Sequence, residues 1–218
     1  MKKIILIHTV QSMYLTFEKR LREALNVEVR IDNILDTFFA TNSNEIGYFS
    51  QENVDRLYMT LKSAELTGAD VIATICSTLT PHAEKIAPLI PVPIVLIDSR
   101  LGDSALSYGD NLIIVASAPS AAEATNLLIH KAAKVAGRVI DLESKYDIRA
   151  LHSLLSGDVE THDKYILEMV STIHDKDAIV FAQGSMEHIK EAVEKTTGLP
   201  VVTAPSLCIQ EIKEIVEA

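Results

Sequence analysis

One displacement organises the whole sequence. Moved by 107 residues, Asp70-Val71-Ile72-Ala73-Thr74-Ile75-Cys76-Ser77-Thr78 lies on Asp177-Ala178-Ile179-Val180-Phe181-Ala182-Gln183-Gly184-Ser185. The register holds without a gap from Tyr58/Tyr165 through Glu84/Glu191, Pro93/Pro200 and Val95/Val202 to Ser99/Ser206. Each half reads as an apolar run, a small-polar loop, a helix-like stretch, and a short apolar run after a proline. Such a chain folds as two copies of one unit. The copies differ where chemistry would sit, with cysteine in the first loop and glutamine in the second. A duplicated α/β fold facing itself across a cleft would bring those two positions to opposite sides of one ligand.

The runs between the loops define the fold class. Lys3–Ile7, Val71–Ile75, Leu112–Ala116 and Ala178–Ala182 are unbroken aliphatic stretches. Parallel strands buried on both faces have this appearance. Further strands are expected at Val27–Ile31, Ile94–Ile97, Val139–Leu142 and Val201–Thr203. Helical spacing of apolar residues marks Met13–Leu25, 121–135, Lys164–Ile173, Glu187–Lys195 and Leu207–Val216. Val54–Leu66 reads as a helix stopped by Gly68, and Pro81 is placed to open another. Thr41-Asn42-Ser43-Asn44 reads as a polar loop. Strands alternating with helices predict an α/β fold of two pseudo-symmetric domains, each a parallel sheet flanked by helices. The expected boundaries are 1–98 with 205–218 for the first domain and 99–204 for the second. Ligands of open parallel sheets sit at the carboxyl ends of the strands, where the loops after Ile7, Ile75, Val115 and Ala182 lie.

Composition narrows the partners. A formal net charge of −10, with no basic cluster beyond two adjacent residues, argues against nucleic acid. An anionic ligand would have to be held locally, by backbone N–H groups and hydroxyls. No apolar stretch approaches the roughly 18 residues that span a bilayer. The apolar run after Met1-Lys2-Lys3 stops at His8 with no cleavage-type segment, so a cytoplasmic protein is expected. The two cysteines, Cys76 and Cys208, fit a reducing compartment. The seven histidines show no HxxxH or CxxC spacing, so neither a metal nor another cofactor is expected.

Cys76-Ser77-Thr78-Leu79-Thr80-Pro81 follows a strand and precedes a helix. A thiolate there is stabilised by the free N–H groups and the helix dipole. The same groups, with the Ser77 and Thr78 hydroxyls, suit a carboxylate. The alternative is a small residue that merely ends a strand. In the mirrored loop, Gly184 permits close backbone approach and Ser185 supplies a hydroxyl. Gln183 can donate and accept hydrogen bonds but cannot take a proton at neutral pH. It reads either as a ligand contact or as structural. Cys208 falls on the apolar stripe of the last helix with Ile212, Ile215 and Val216, the position of a buried inert thiol.

With Ala73-Thr74-Ile75-Cys76-Ser77-Thr78 and the stretch from Ile179 to Met186 followed by Gly198-Leu199-Pro200-Val201-Val202, the chain resembles the aspartate/glutamate racemase superfamily over nearly its full length. The resemblance implies two similar α/β domains with the active site in the interdomain cleft. It also implies cofactor-free chemistry in which two cysteines act as opposed acid and base at a carbon beside a carboxylate. Cys76 matches the first cysteine; Gln183 stands where the second belongs. His8 takes the place of an acidic residue that usually ends the first strand. It would either assist the thiol or simply end a strand. Thr9 matches a carboxylate-binding hydroxyl, with Gln11 and Ser12 as neighbours. Ser117 and Ser120 are its second-half counterparts. Asn42 is a candidate contact or a turn residue.

The expectation is therefore a racemase- or isomerase-type enzyme acting beside the carboxylate or carbonyl of a small acid. Cys76, as acid–base group or nucleophile, and His8 are its candidate catalytic residues. Thr9, Gln11, Asn42, Ser77, Thr78, Ser117, Gln183, Gly184 and Ser185 are its candidate binding residues. A single-cysteine decarboxylase or tautomerase and a non-catalytic carboxylate-binding module are the alternatives. The partners are a small carboxylate-bearing substrate and a second copy in a homodimer.

Overall fold

The computed structural model describes residues 1–218 apart from the side chains of Ser12, Asn44 and Leu155. The chain divides into two compact units, Met1–Ser99 with Pro205–Ala218 and Arg100–Ala204.

The first unit runs β1 (Lys2–His8), α1 (Gln11–Ala24), β2 (Val29–Leu35), α2 (Phe38–Ile46), α3 (Gln51–Leu66), β3 (Val71–Thr74), a 3-10 turn over Ser77–Leu79, α4 (Thr80–Ile86) and β4 (Ile94–Leu96). Its sheet has the order β2-β1-β3-β4 and every pairing is parallel. The second unit opens with α5 (Leu101–Leu106). It continues β5 (Asn111–Ala116), α6 (Pro119–Ala136), β6 (Asp141–Tyr146), α7 (Ile148–Leu155), α8 (Val159–Val170), β7 (Ala178–Phe181), a 3-10 stretch over Gly184–Ile189, α9 (Lys190–Thr197) and β8 (Val201–Val202). Its sheet repeats the order as β6-β5-β7-β8, again all parallel. The last helix, α10 (Ala204–Glu217), lies beside α1, where Lys213 Nζ donates to the Ala24 carbonyl at 2.7 Å.

Alternation along β1 sorts the core of the first unit. Ile5 and Ile7 point into a cluster with Phe39, Leu57, Ile72 and Leu79, on the face covered by α2, α3 and α4. Leu6 and His8 point to the opposite face, where His8 meets Phe17 of α1. Ile113, Val115, Ile166, Ile179 and Phe181 centre the matching cluster of the second unit. Where α5 crosses α6, a Cβ on Gly102 would stand 2.6 Å from the Ala132 methyl, so only glycine permits that approach.

The departures from expectation have physical causes. The strands at the sheet edges, β2 and β6, extend to Leu35 and Tyr146, past the ends of their apolar runs. Only one side of an edge strand is paired, so Asp32, Asn33, Glu143 and Lys145 are accommodated there and the apolar criterion stops short. Thr41–Asn44 is not a loop but part of α2. That helix is anchored by buried Phe39 and ended by Gly47 at φ 82°. Turn-forming residues populate it because tertiary anchoring outweighs weak local propensity. The helix expected at Glu187–Lys195 begins as a 3-10 stretch and becomes α-helical only from Lys190. Among the described residues, no helix is long and apolar enough to cross a membrane.

Candidate active site

Parallel pairing brings the strand ends of the first unit to one edge. Backbone bonds from Asp36 to His8, from Ile75 to Ile7 and from Ile97 to Thr74 close that edge at 2.9, 2.8 and 3.1 Å. Thr9 directly follows β1, and Cys76 and Asp98 each stand two residues past the ends of β3 and β4. Cys76 is partly buried and has extended backbone (φ −160°, ψ 121°). Its side chain packs against the cluster beneath α3 and α4, and its carbonyl accepts from the Leu79 N–H at 3.1 Å. Ser77 and Thr78 are exposed beside it. The Thr9 and Thr74 hydroxyls are buried, and neither has a partner among the described residues. Unpartnered buried hydroxyls are costly. Asn42 accepts from the Asn53 side chain at 2.9 Å, which leaves the buried Asn53 oxygen without a partner. Gln11 is exposed at the start of α1, and the Ser12 side chain lies outside the described residues.

His8 is placed differently from Cys76. Its ring is fully buried on the α1 face, edge-on to Tyr14 (5.7 Å) and Phe17 (6.4 Å). Nε2 lies 3.0 Å from the Asn33 side-chain oxygen, while the Asn33 amide donates to Glu18. That polarity puts the ring proton on Nε2 and leaves Nδ1, which has no partner among the described residues, as a buried acceptor. Burial lowers the His8 pKa; the Asn33 bond and the Glu18 charge act in the opposite sense. The structure does not bring this ring and the Cys76 side chain together, because they leave the sheet on opposite faces.

Sequence reasoning missed Asp98. It is 6% exposed and accepts from the Thr80 hydroxyl at 2.6 Å, tying the end of β4 to the turn that carries Cys76. Burial pushes its carboxyl up; Thr80, its own backbone N–H and Ser77 oppose the shift, and Glu84 adds to it. Nothing in the aliphatic pattern of β4 could have signalled that pairing.

The corresponding edge of the second unit is closed by its own side chains. The Gln183 carboxamide oxygen accepts from the Ser117 backbone N–H at 2.9 Å, and its nitrogen donates to the Ser117 hydroxyl at 2.8 Å. Ser117 is fully buried. In the repeat, Ser117 stands for Thr9 and Gln183 for Cys76. Both members of this pair are therefore engaged through their side chains, whereas the Thr9 hydroxyl of the first has no partner among the described residues. Gly184 and Ser185 are half-buried and Ser120 is exposed. Thr203 donates to Glu187 at 2.6 Å, a tie like that of Thr80 to Asp98 with acid and hydroxyl exchanged between strand end and helix. Cys208 is buried in α10, as the apolar stripe requires.

Two parallel four-stranded sheets flanked by helices, repeated in tandem, match the two-domain α/β racemase fold. An aspartate racemase from Picrophilus torridus superposes with a TM-score of 0.75 at 19% identity, over 99% of this chain and 95% of the other. A glutamate racemase from Francisella tularensis in complex with D-glutamate gives 0.69 at 18%, over 99% and 81%. An allantoin racemase from Klebsiella pneumoniae gives 0.67 at 15%, over 100% and 88%. At these identities the likeness establishes the fold. No curated protein matches the chain. The Asp/Glu/hydantoin racemase family model matches residues 4–212, and the chain belongs to that family. It is accordingly a racemase-type isomerase from a family that binds small carboxylate substrates.

Proposed function

We propose that the protein is a cofactor-independent enzyme that moves a proton at the carbon beside the carboxylate or carbonyl of a small acid, with Cys76 as its acid–base group. The observation that carries this reading is the contrast between the two strand-end pairs. The Thr9 hydroxyl has no hydrogen-bond partner among the described residues, beside a partly buried Cys76, whereas Gln183 and Ser117 satisfy each other. A thiol can take and return a proton; a carboxamide does neither at neutral pH. Thr9, Asn42, Ser77 and Thr78 supply hydroxyl and amide groups for the substrate's oxygens on the Cys76 side. Gln11 lies at their rim, and Gly184 and Ser185 supply the contacts of the second loop. His8 serves as a positioning residue held by Asn33 and Glu18, without touching the thiol.

The Gln183–Ser117 pair also favours a second reading within the same chemistry. With one proton-active side chain, tautomerisation or decarboxylation needs no opposing base, whereas two-base racemisation does. Solvent proton exchange in deuterated water distinguishes the readings. Wild type and Cys76→Ala are incubated with amino acids, hydantoins and 2-substituted malonates, and deuterium at the α-carbon is read by NMR. Loss of a group such as Cys76 removes a factor of about 10² to 10⁴ in rate. Exchange with retained chirality supports one-sided transfer, and exchange with loss of chirality supports racemisation. Absence of exchange, from protein that still binds members of the panel, refutes the enzyme reading in favour of a binding module.

A further inference from the structure

The second loop is tied down by a group of side chains that the proposed chemistry does not use. His188, within the 3-10 stretch, has Nδ1 2.8 Å from the Ser185 carbonyl oxygen. Its Nε2 lies 2.9 and 2.8 Å from the two carboxylate oxygens of Asp163 on α8. Carbonyl and carboxylate oxygens have no proton to give, so a ring that satisfies both must donate from both nitrogens. Only the doubly protonated imidazolium does so. Asp163 also accepts from Nδ1 of the preceding His162 at 2.7 Å. His162 is fully buried, its Nε2 has no protein partner, and its ring stacks on His188 at 6.4 Å between centroids.

Nearby, Glu187 accepts from Thr203, and Lys190 pairs with Glu194 at 3.8 Å. The groups in contact with His188 are Asp163 and His162 from α8 and the Ser185 carbonyl from its own loop. The repeat places Pro81 at the position of His188 and Arg56 at that of Asp163. The first loop is thus followed by a residue with no proton to lose.

We infer that His188, held as an imidazolium by Asp163, is a positioning residue that fixes the Gly184–Ser185 backbone, and that loss of one ring proton releases it. With a neutral ring, the proton stays on Nε2 toward the carboxylate, and Nδ1 presents a lone pair to the Ser185 carbonyl. That contact then turns from attractive to repulsive. The inference concerns the loop to which the proposed function assigns substrate contacts and rests on that reading only for its consequence. The test below reads no activity, so the two can fail separately.

The experiment is a pH series on the wild-type protein from acid to alkaline. Side-chain 15N resonances of His188 and backbone amides of Gly184, Ser185 and Met186 are followed together, with Asp163→Asn and His188→Gln as companions. The expected result is a His188 ring protonated on both nitrogens at low pH, converting to one protonated nitrogen at the same midpoint at which the three amides shift. Asp163→Asn removes the anionic partner, so the doubly protonated ring gives up its second proton more readily than in the wild type. In His188→Gln the amides lose their shared titration. A ring carrying a single proton throughout the series overturns the inference, as do loop amides that ignore the ring. The wild-type series decides the matter even if a variant fails to fold.

Discussion

At the ends of the equivalent strands β1 and β5, Thr9 and Ser117 are the same element of the repeat in opposite states. Ser117 is paired through both its hydroxyl and its backbone N–H, and Thr9 has a buried hydroxyl with no partner among the described residues. One substitution in the facing loop makes the difference. A thiol at residue 76 is too short and too weak a hydrogen-bonding group to satisfy a hydroxyl across the strand ends. A carboxamide at residue 183 reaches across and satisfies two groups. The means of holding the loops differ as well. The first is followed by Pro81 and tied by Thr80 to a buried Asp98; the second is tied through His188 to Asp163. Duplication thus yielded one unit with a buried hydroxyl left unpartnered among the described residues at its strand end and one whose corresponding pair is satisfied.

Converting the second unit into the first is the strongest way to break this contrast. Gln183→Cys removes the carboxamide and supplies a second thiol. The expected outcome is loss of chirality in the exchanged product, with a gain in two-sided exchange of about 10² or more. Exchange that stays one-sided in this variant would mean that residue 183 does not reach the substrate.

Ser117→Ala removes half of the Gln183 pairing and should cost about 1 kcal/mol of unfolding free energy, read by denaturant titration. Thr9→Val deletes a hydroxyl that has nothing to lose. Its stability should stay within about 0.5 kcal/mol of wild type or rise, while binding of exchange-competent compounds weakens. Equal destabilisation by the two substitutions would erase the distinction between the units.

The smallest effect concerns His8. Its folded pKa lies below the ordinary 6.5, so the unfolded chain takes up a proton more readily. The stability that follows is complete above about pH 6.5 and declines as pH falls below it. His8→Phe should flatten that acid limb in melting curves, whatever its absolute stability. His82, also lowered by burial and by Lys85, retains part of the slope. An acid limb unchanged in His8→Phe would show that the buried ring does not resist protonation.

Much of the architecture was legible along the chain. The repeat and its aliphatic runs are one-dimensional patterns, and parallel strands buried on both faces write themselves as such runs. Apolar patterning understates the edge strands because half of an edge strand answers to solvent. Helix α2 looks like a loop in the sequence because its composition is that of a turn while its anchor, Phe39, is a single residue. Within the site, Cys76 and the loop around Gln183 stood out through the repeat itself.

What no reading along the chain could settle was the pairing of polar atoms. Gln183 meets a serine 66 residues away, His8 an asparagine 25 residues away and Thr80 an aspartate 18 residues away. A hydrogen bond depends on direction and on distances of a few tenths of an ångström, and those are set only when strand register and helix packing carry distant residues to one edge. Hydrophobic periodicity survives projection onto a line because it depends only on which face a residue occupies. Polar satisfaction does not, and on it turns which strand ends of this duplicated fold keep an unpartnered hydroxyl and which close upon themselves.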